Sequence, residues 1–221
     1  MKATKKYELS NETIEIDGIT LHRIKALKDF SDVKAGDLGG WVEKEDNLSQ
    51  MGDAWVYENA EVYGNAKIHG DAEIYRNAKV FGNAKIYGNA EVFGNAEIYG
   101  NAVISGNAKV FDNAQVCGDA IVYDNARVYG DASVGCCALV CGNAMVCGDA
   151  MVCCGADYII FKNFWSSGRF FTWTRSNNMW KVGCFYGTGE ELIRKAYKDS
   201  ANSGKEYERV VRYVDSILAN K

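Results

Sequence analysis

The chain has 221 residues, and its 25 Lys and Arg stand against 29 Asp and Glu, for a formal net charge of -4. This balance predicts no electrostatic footprint for nucleic acid or for an anionic membrane surface. A run of about 18 apolar residues, which a membrane span needs, is missing, and residues 1–7 lack the apolar core of a signal peptide.

Residues 1–47 are predicted to form an N-terminal β-hairpin cap. Two alternating runs, Thr13–Ile16 and Ile19–Ile24, flank Asp17-Gly18, a pair that is typical of tight hairpin turns. A Gly-rich connector at residues 33–42 follows. We expect this segment to close one end of the repeat array that comes next, because the open end of such an array exposes unpaired strand edges.

From residue 54 to residue 155 one six-residue unit recurs 17 times without a break, and a degenerate copy before it extends the segment to 48–155. Each unit has Ala at its first position and Val or Ile at its third. Because alternate side chains of a strand point to opposite faces, these two positions share the inner face. Gly, Asn and Asp usually end the unit, and these residues adopt positive φ most readily. The repeat therefore predicts short strands separated by corners, stacked as a solenoid.

This pattern resembles the hexapeptide-repeat family, which includes bacterial acyltransferases built on a left-handed parallel β-helix. The resemblance implies a mainly β protein in which three hexads form one triangular coil, so that the 17 hexads form about six coils. It also implies a left-handed winding and a homo-oligomer, with a trimer favoured and a dimer as the alternative.

Residues 18 apart should stack on one face of such a prism, so the sequence predicts its outward columns. One face carries a ladder of five rings: Tyr57, Tyr75, Phe93, Phe111 and Tyr129. Another face becomes apolar in its later coils, at Val103, Ile121, Leu139 and the neighbouring Tyr123. Stacked rings can simply pack on one another, whereas an exposed apolar stripe indicates an interface. Either the C-terminal segment or another subunit is expected to cover it.

Residues 156–221 break the period and predict a separate α+β domain of three strands and two helices. The strands are expected at Tyr158–Phe161, Arg169–Thr174 and Trp180–Phe185. Thr188-Gly189-Glu190-Glu191 is a capping box for a helix that ends near Lys198. A second helix is predicted for Lys205–Ala219.

This domain is rich in rings, and we predict binding residues at Trp165, Phe171, Trp173 and Trp180. Two interpretations stay open. The rings form a partner-binding patch, since Trp contributes much of the energy of interfaces, or they cover the two helices and the apolar face of the prism.

Seven of the eight cysteines lie between Cys117 and Cys154 and replace other residues of the repeat, which favours reduced thiols in a cytoplasmic protein. Cys136 and Cys154 should lie at one corner, one coil apart, with Cys137 and Cys153 beside them. A thiolate metal site is the weaker interpretation, because CxxC spacing is missing. We predict small filler residues and no metal or other cofactor.

His69 is the only candidate catalytic residue, because the acyltransferases of the family rely on a His at a subunit interface. Its column otherwise holds Tyr87 and Tyr123, so an outward ring without a catalytic role is the favoured interpretation. The 17 hexads also contain no inserted loop that would enclose an acyl donor.

The Gly36-Asp37-Leu38-Gly39-Gly40 segment and the Gly183–Thr188 segment before the first helix are similar to those of phage and prophage hexapeptide-repeat proteins. This resemblance implies a non-catalytic binding protein in the cytoplasm of a bacterial host. Its expected partner is a host protein or a small nucleotide, and its expected role is interference with a host defence system. An acyl-CoA-dependent acyltransferase and an architectural oligomerisation rod are the alternatives.

Overall fold

The structure is a computed structural model that describes residues 5–164 and 167–219. Its front strands are β1 (Tyr7–Ile16), β2 (Ile19–Ala26) and β3 (Leu38–Val42). The repeat forms β4 to β20, in order: Trp55–Val56, Glu61–Val62, Lys67–Ile68, Glu73–Ile74, Lys79–Val80, Lys85–Ile86, Glu91–Val92, Glu97–Ile98, Val103–Ile104, Lys109–Val110, Gln115–Val116, Ile121–Val122, Arg127–Val128, Ser133–Val134, Leu139–Val140, Met145–Val146 and Met151–Val152. The C-terminal unit contains β21 (Tyr158–Lys162), β22 (Phe170–Thr174), β23 (Met179–Val182), β24 (Phe185–Gly187), α1 (Gly189–Asp199) and α2 (Ala201–Ala219). Neither of these helices is long and apolar enough to cross a membrane.

Repeat strands pair in parallel with strands one coil away, as Val92 does with Ile74 on one side and Val110 on the other. The strand order therefore forms three walls, which contain β5 to β20, β4 to β19 and β6 to β18, each taking every third strand. This arrangement confirms the mainly β fold and the parallel β-helix of about six coils. The left-handed winding stays a prediction from the family resemblance.

The interior of the β-helix is lined by the two repeated inner positions. From Ala54 to Val152 every Ala of the first position and every Val or Ile of the third is at most 1% exposed. Burial of each aliphatic side chain contributes about 1.5–3 kcal/mol. Because Ala occupies the space beside each aliphatic residue, the bore has no room for a larger side chain at the first position.

The corners between strands need positive φ. Gly64 has a φ of 69°, and a Cβ on this residue would lie 3.1 Å from backbone atoms of Gly82 in the next coil. Gly avoids both the strain and the contact. Beside these corners, amide side chains form ladders, in which Asn65 Nδ2 donates to Asn83 Oδ1 at 3.2 Å and Asn83 Nδ2 donates to Asn101 Oδ1 at 3.0 Å.

The β1–β2 hairpin and β3 close the front of the β-helix. Strand β3 pairs antiparallel with β2 and parallel with β5, so the hairpin sheet continues directly into one wall. Tyr7 Oη donates to the carbonyl of Leu48 at 2.7 Å, and Lys6 Nζ donates to that of Ala54 at 2.7 Å. Burial lowers the pKa of Lys6 to about 8. The cap thus supplies donors to carbonyls at the open end.

The first coil departs from the regular spacing. Leu48 bridges Ile68 and therefore occupies an aliphatic position, yet Val56 follows it after eight residues instead of six. The extra residues lie near Met51, which is 78% exposed. In the unit before Leu48, Gly40 stands at the first position, where the regular hexads have Ala. A Cβ on Gly40 would lie 2.6 Å from the carbonyl oxygen of Ala60.

The C-terminal unit is a four-stranded antiparallel sheet, ordered β21-β22-β23-β24, with both helices packed on one face. The prediction of a single strand for Trp180–Phe185 is wrong. Gly183 has a φ of 57° and turns the chain between β23 and β24, so that Val182 pairs with Phe185. The predicted capping box is confirmed, because Thr188 N donates to Glu191 Oε2 at 2.9 Å.

The sheet of this unit closes the far end of the β-helix. One hydroxyl serves the last strand of each wall: Tyr158 Oη accepts from Cys141 N at 3.4 Å, Thr172 Oγ1 from Met145 N at 3.0 Å, and Ser176 Oγ from Met151 N at 2.7 Å. The described residues of the C-terminal segment therefore lie across the end of the β-helix and not along its apolar wall, contrary to one of the two predicted arrangements.

We expect Ala90→Leu to destabilise the protein by about 1–3 kcal/mol, because the larger side chain overpacks the bore. Ala90 is fully buried. Urea unfolding followed by circular dichroism would measure the change. Lys85→Leu, at an exposed position of the previous hexad, is the control. Equal unfolding midpoints for Ala90→Leu and the parent would contradict the proposed packing.

Thr172→Val should reduce the free energy of unfolding by about 1–3 kcal/mol, because the Met145 N–H would lose its acceptor beneath the sheet. Thr172 is 1% exposed. Ser176→Ala removes the corresponding acceptor at an exposed site, where water can replace it. This variant should therefore reduce the free energy of unfolding by less than Thr172→Val does. Thermal unfolding of both variants tests this order, and a reversed order would show that the sheet does not seal the end.

Candidate functional site

The outward rings form the columns that the 18-residue spacing predicted. Stacking is continuous from Tyr75 through Phe93 and Phe111 to Tyr129, with ring centroids 4.7–4.9 Å apart. Tyr57 instead donates its hydroxyl to Asp32 Oδ1 at 2.8 Å and leans against the front cap. At the other end, Lys181 of the C-terminal unit lies 5.8 Å from the Tyr129 ring centroid. Four of the five predicted rings thus form a self-packed column, which Lys181 contacts at one end, while Tyr57 and Tyr75 line a hollow of about 190 Å³ at the other.

The apolar stripe of the third wall is open to solvent. Val103, Ile121 and Leu139 pair in register on consecutive coils. Ile121 is 37% exposed and Leu139 is 43% exposed, while Tyr123 is half-buried beside them. The stripe thus has the properties of an interface without a covering element from the described part of this chain.

His69 points outward at the front of the same wall. Its ring stacks on Tyr87 with centroids 5.0 Å apart and planes 7° from parallel. A shallow hollow of about 310 Å³ beside it is also lined by Glu45, Ser49 and Lys67. This geometry fits an aromatic position of the column, and the hollow is too open to exclude water from a reaction.

The cysteine cluster lies where the two last coils meet. Cys136, Cys137, Cys153 and Cys154 are all exposed, and each is a free thiol. A hydrogen bond with the Cys136 side chain raises the pKa of Cys153, which disfavours the thiolate that metals and disulfide exchange require. The described residues contain no group of three or more potential ligands arranged to hold a metal ion.

The predicted binding role of Phe171, Trp173 and Trp180 is wrong. These rings are at most 2% exposed, because they lie on the face of the sheet that both helices cover. Trp173 Nε1 also donates to Asn178 Oδ1 at 2.8 Å, which satisfies its polar atom inside the unit. They are core residues of the C-terminal unit. The fourth predicted residue, Trp165, lies outside the described residues.

A groove on the C-terminal unit was missed by the sequence analysis. It has a volume of about 550 Å³ and lies between the end of β21 and one side of α2. Phe161 lines it and contacts Tyr213 edge to face, with centroids 5.9 Å apart. Tyr213 is 56% exposed, and Val210 lines the groove one helical turn before it.

Cations border this groove. Lys162 Nζ lies 5.3 Å from the centroid of Phe164, a ring that is 72% exposed, and 5.6 Å from that of Phe170. On the helix side, Arg209 pairs with Glu206 at 2.7 Å and leaves its side chain 74% exposed. Helical spacing of Glu206, Val210 and Tyr213 was the one sequence signal for this surface, but it did not reveal which strand lies opposite.

Comparisons with known proteins concern the repeat. A family model described as the YdcK beta solenoid repeat matches residues 114–130 and 122–135. A curated relative, the uncharacterized acetyltransferase YdcK of Escherichia coli (strain K12), is 40% identical over 62 residues. This similarity covers 24% of the chain and 19% of the relative's own length.

The sequence unit, the similarity to a solenoid repeat and the parallel coils agree with one another. The sequence unit and the coils rest on the same alternation of a small residue and a branched aliphatic residue toward the interior. The chain is therefore a parallel β-helix protein built on a six-residue repeat.

Proposed function

We propose that this chain is a non-catalytic binding protein, in which a rigid β-helix presents the C-terminal unit to a macromolecular partner. The observation that carries this proposal is the position of the 550 Å³ groove, which lies on the C-terminal unit and not on the β-helix walls. All 17 hexads run from strand to corner to strand without an inserted loop. The prism therefore supports the unit, and recognition takes place on exposed surfaces.

An acyl-CoA-dependent acyltransferase is the second candidate. Two observations favour it, namely the name of the similar Escherichia coli protein and the hollow beside His69. Against it, the ring of His69 is stacked on Tyr87, and short corners flank it on both sides. Acyl transfer would need walls around the acyl donor, which a second subunit would have to supply.

The nature of the partner follows from the phage resemblance alone. A host protein or a small nucleotide signal of a bacterial defence system is the proposed target, and the cytoplasm of the host is the proposed location. An architectural rod without a ligand is the remaining alternative. Binding experiments with host material separate these possibilities.

Self-association is part of the proposal. The exposed stripe of Val103, Ile121 and Leu139 gives copies of the chain an apolar surface on one straight wall. The family resemblance favours a trimer over a dimer. Assembly through this wall would leave the groove of the C-terminal unit accessible, since that groove lies beyond the end of the prism.

We expect titration of the protein with acetyl-CoA in a calorimeter to produce no binding heat.

The partner is captured by incubating the full chain with lysate of the bacterial host and identifying the eluted proteins and nucleotides by mass spectrometry. His69→Ala should leave this capture unchanged. Stoichiometric acetyl-CoA binding that His69→Ala abolishes would favour the acyltransferase instead. An oligomer that captures neither protein nor nucleotide would favour the architectural rod.

Ile121→Lys should shift the protein toward monomers, because a charge on the stripe opposes its burial between copies. Gln115→Lys adds the same charge at the equivalent exposed position of the preceding hexad and should leave assembly unchanged. Sedimentation velocity over a range of concentrations measures both. A monomeric parent protein would refute self-association.

A further inference from the structure

Strand β21 is one edge of the sheet in the C-terminal unit, since β22 is its only neighbour among the described strands. Two hydrogen bonds define its orientation: Asn163 N donates to Arg169 O at 2.9 Å, and Arg175 N donates to Asp157 O at 2.8 Å. Backbone groups of a strand alternate in direction along an antiparallel ladder. Asp157 and Asn163 thus face β22, as do Ile159 and Phe161, and the alternate residues Tyr158, Ile160 and Lys162 direct their N–H and C=O groups away from β22.

An edge of this kind is a template for a further strand, and proteins usually protect it. Here the side chains of β21 are fixed on both faces. Ile160 packs toward the β-helix core, while Ile159 and Phe161 pack toward the helices. The strand is thus held in place from two sides, and no described strand pairs with its outer edge.

The groove lies directly beside this edge. Phe161 and Lys162 contribute to it from β21, and Val210 and Tyr213 contribute from α2. A strand added to β21 would send every second side chain toward the helices, at the level of Phe161. The apolar surface of Val210 and Tyr213 would then receive those side chains.

The positive charge of the C-terminal unit favours an added strand that carries acidic residues. Residues 156–221 contain 11 Lys and Arg against 7 Asp and Glu, a net charge of +4, whereas residues 1–155 contain 14 against 22, a net charge of -8. At the groove, Arg209 pairs with Glu206 at 2.7 Å, so Lys162 is the lining cation without an ion-pair partner among the described residues. The unit therefore attracts a segment that carries carboxylates.

We infer that the outer edge of β21 binds an extended peptide of a partner protein as an added strand. Apolar side chains of this peptide enter the groove at Val210 and Tyr213, and its acidic side chains, on the opposite face of the added strand, meet Lys162. Main-chain hydrogen bonds supply affinity in this mode, while pockets for alternate side chains supply specificity. The inference rests on the proposed binding function and names the chemistry of the partner.

Selection from a library of random linear peptides, with the full chain as bait, provides the probe. We expect the selected peptides to alternate apolar and acidic residues. Hydrogen exchange of the full chain with and without a selected peptide should show new protection at the amides of Ile160 and Lys162. Protection confined to α2 would mean a helical or side-chain-only contact and would overturn the inference.

Paired variants separate the backbone contact from the charge. Lys162→Ala removes the cation, whereas Lys162→Pro also removes the outward N–H, which an edge strand tolerates. The proline variant should bind the selected peptide about five- to tenfold more weakly than the alanine variant. Tyr213→Ala should weaken binding by about tenfold or more, whereas Tyr197→Ala, at an exposed Tyr of α1, should not. Circular dichroism and thermal unfolding verify that each variant folds.

The outcomes distinguish this inference from the proposed function. Equal affinities of the proline and alanine variants would overturn strand addition. A selected peptide that fails to compete with a captured host protein would also overturn it, although the protein would remain a binding protein. Edge-to-edge pairing of two copies through β21 would appear as self-association lost in Lys162→Pro, and it would replace the peptide as occupant.

Discussion

The constraint on which the structure depends is that a stack of coils has unpaired backbone groups at both ends. Inside the stack, each coil bonds to the coil before it and the coil after it. At the front, Lys6 and Tyr7 donate to the carbonyls of Ala54 and Leu48, and at the back three hydroxyls accept from the last strands. Because unpaired strands invite association with other chains, both ends carry dedicated folded segments. The two terminal units thus provide hydrogen-bond partners for the first and last coils of the solenoid.

The second constraint is the narrow bore. Strict Ala and Val or Ile positions make each coil interchangeable in its interior, so variation is confined to the outer columns. The side chains in those columns differ from wall to wall. One carries stacked rings, and another carries the bare stripe of Ile121 and Leu139. Recognition must therefore use outer columns and ends, which is why the groove of the C-terminal unit is informative.

The regular part of the fold could be predicted from the sequence because each hexad marks its inner positions with Ala and Val or Ile, and its corner with Gly, Asn or Asp. The 18-residue stacking of Phe93 on Phe111 follows from that period alone. Irregular features could not be predicted, since they depend on tertiary contacts. The extra residues after Leu48, the turn at Gly183 and the burial of Trp173 are of this kind. The groove escaped prediction for the same reason, because it needs one strand and one helix that are distant in sequence.

The uniform interior does not by itself determine which coil stacks on which during folding. A shift of the pairing by one whole coil would keep every Ala beside an Ala and every aliphatic residue beside an aliphatic residue. Misaligned stacks would thus be close in energy to the native one and could trap the chain during folding. The two caps break this degeneracy, because Tyr7 must reach Leu48 and Thr172 must reach Met145. Folding errors in this protein should accordingly accumulate when an end is damaged, and less when the middle is.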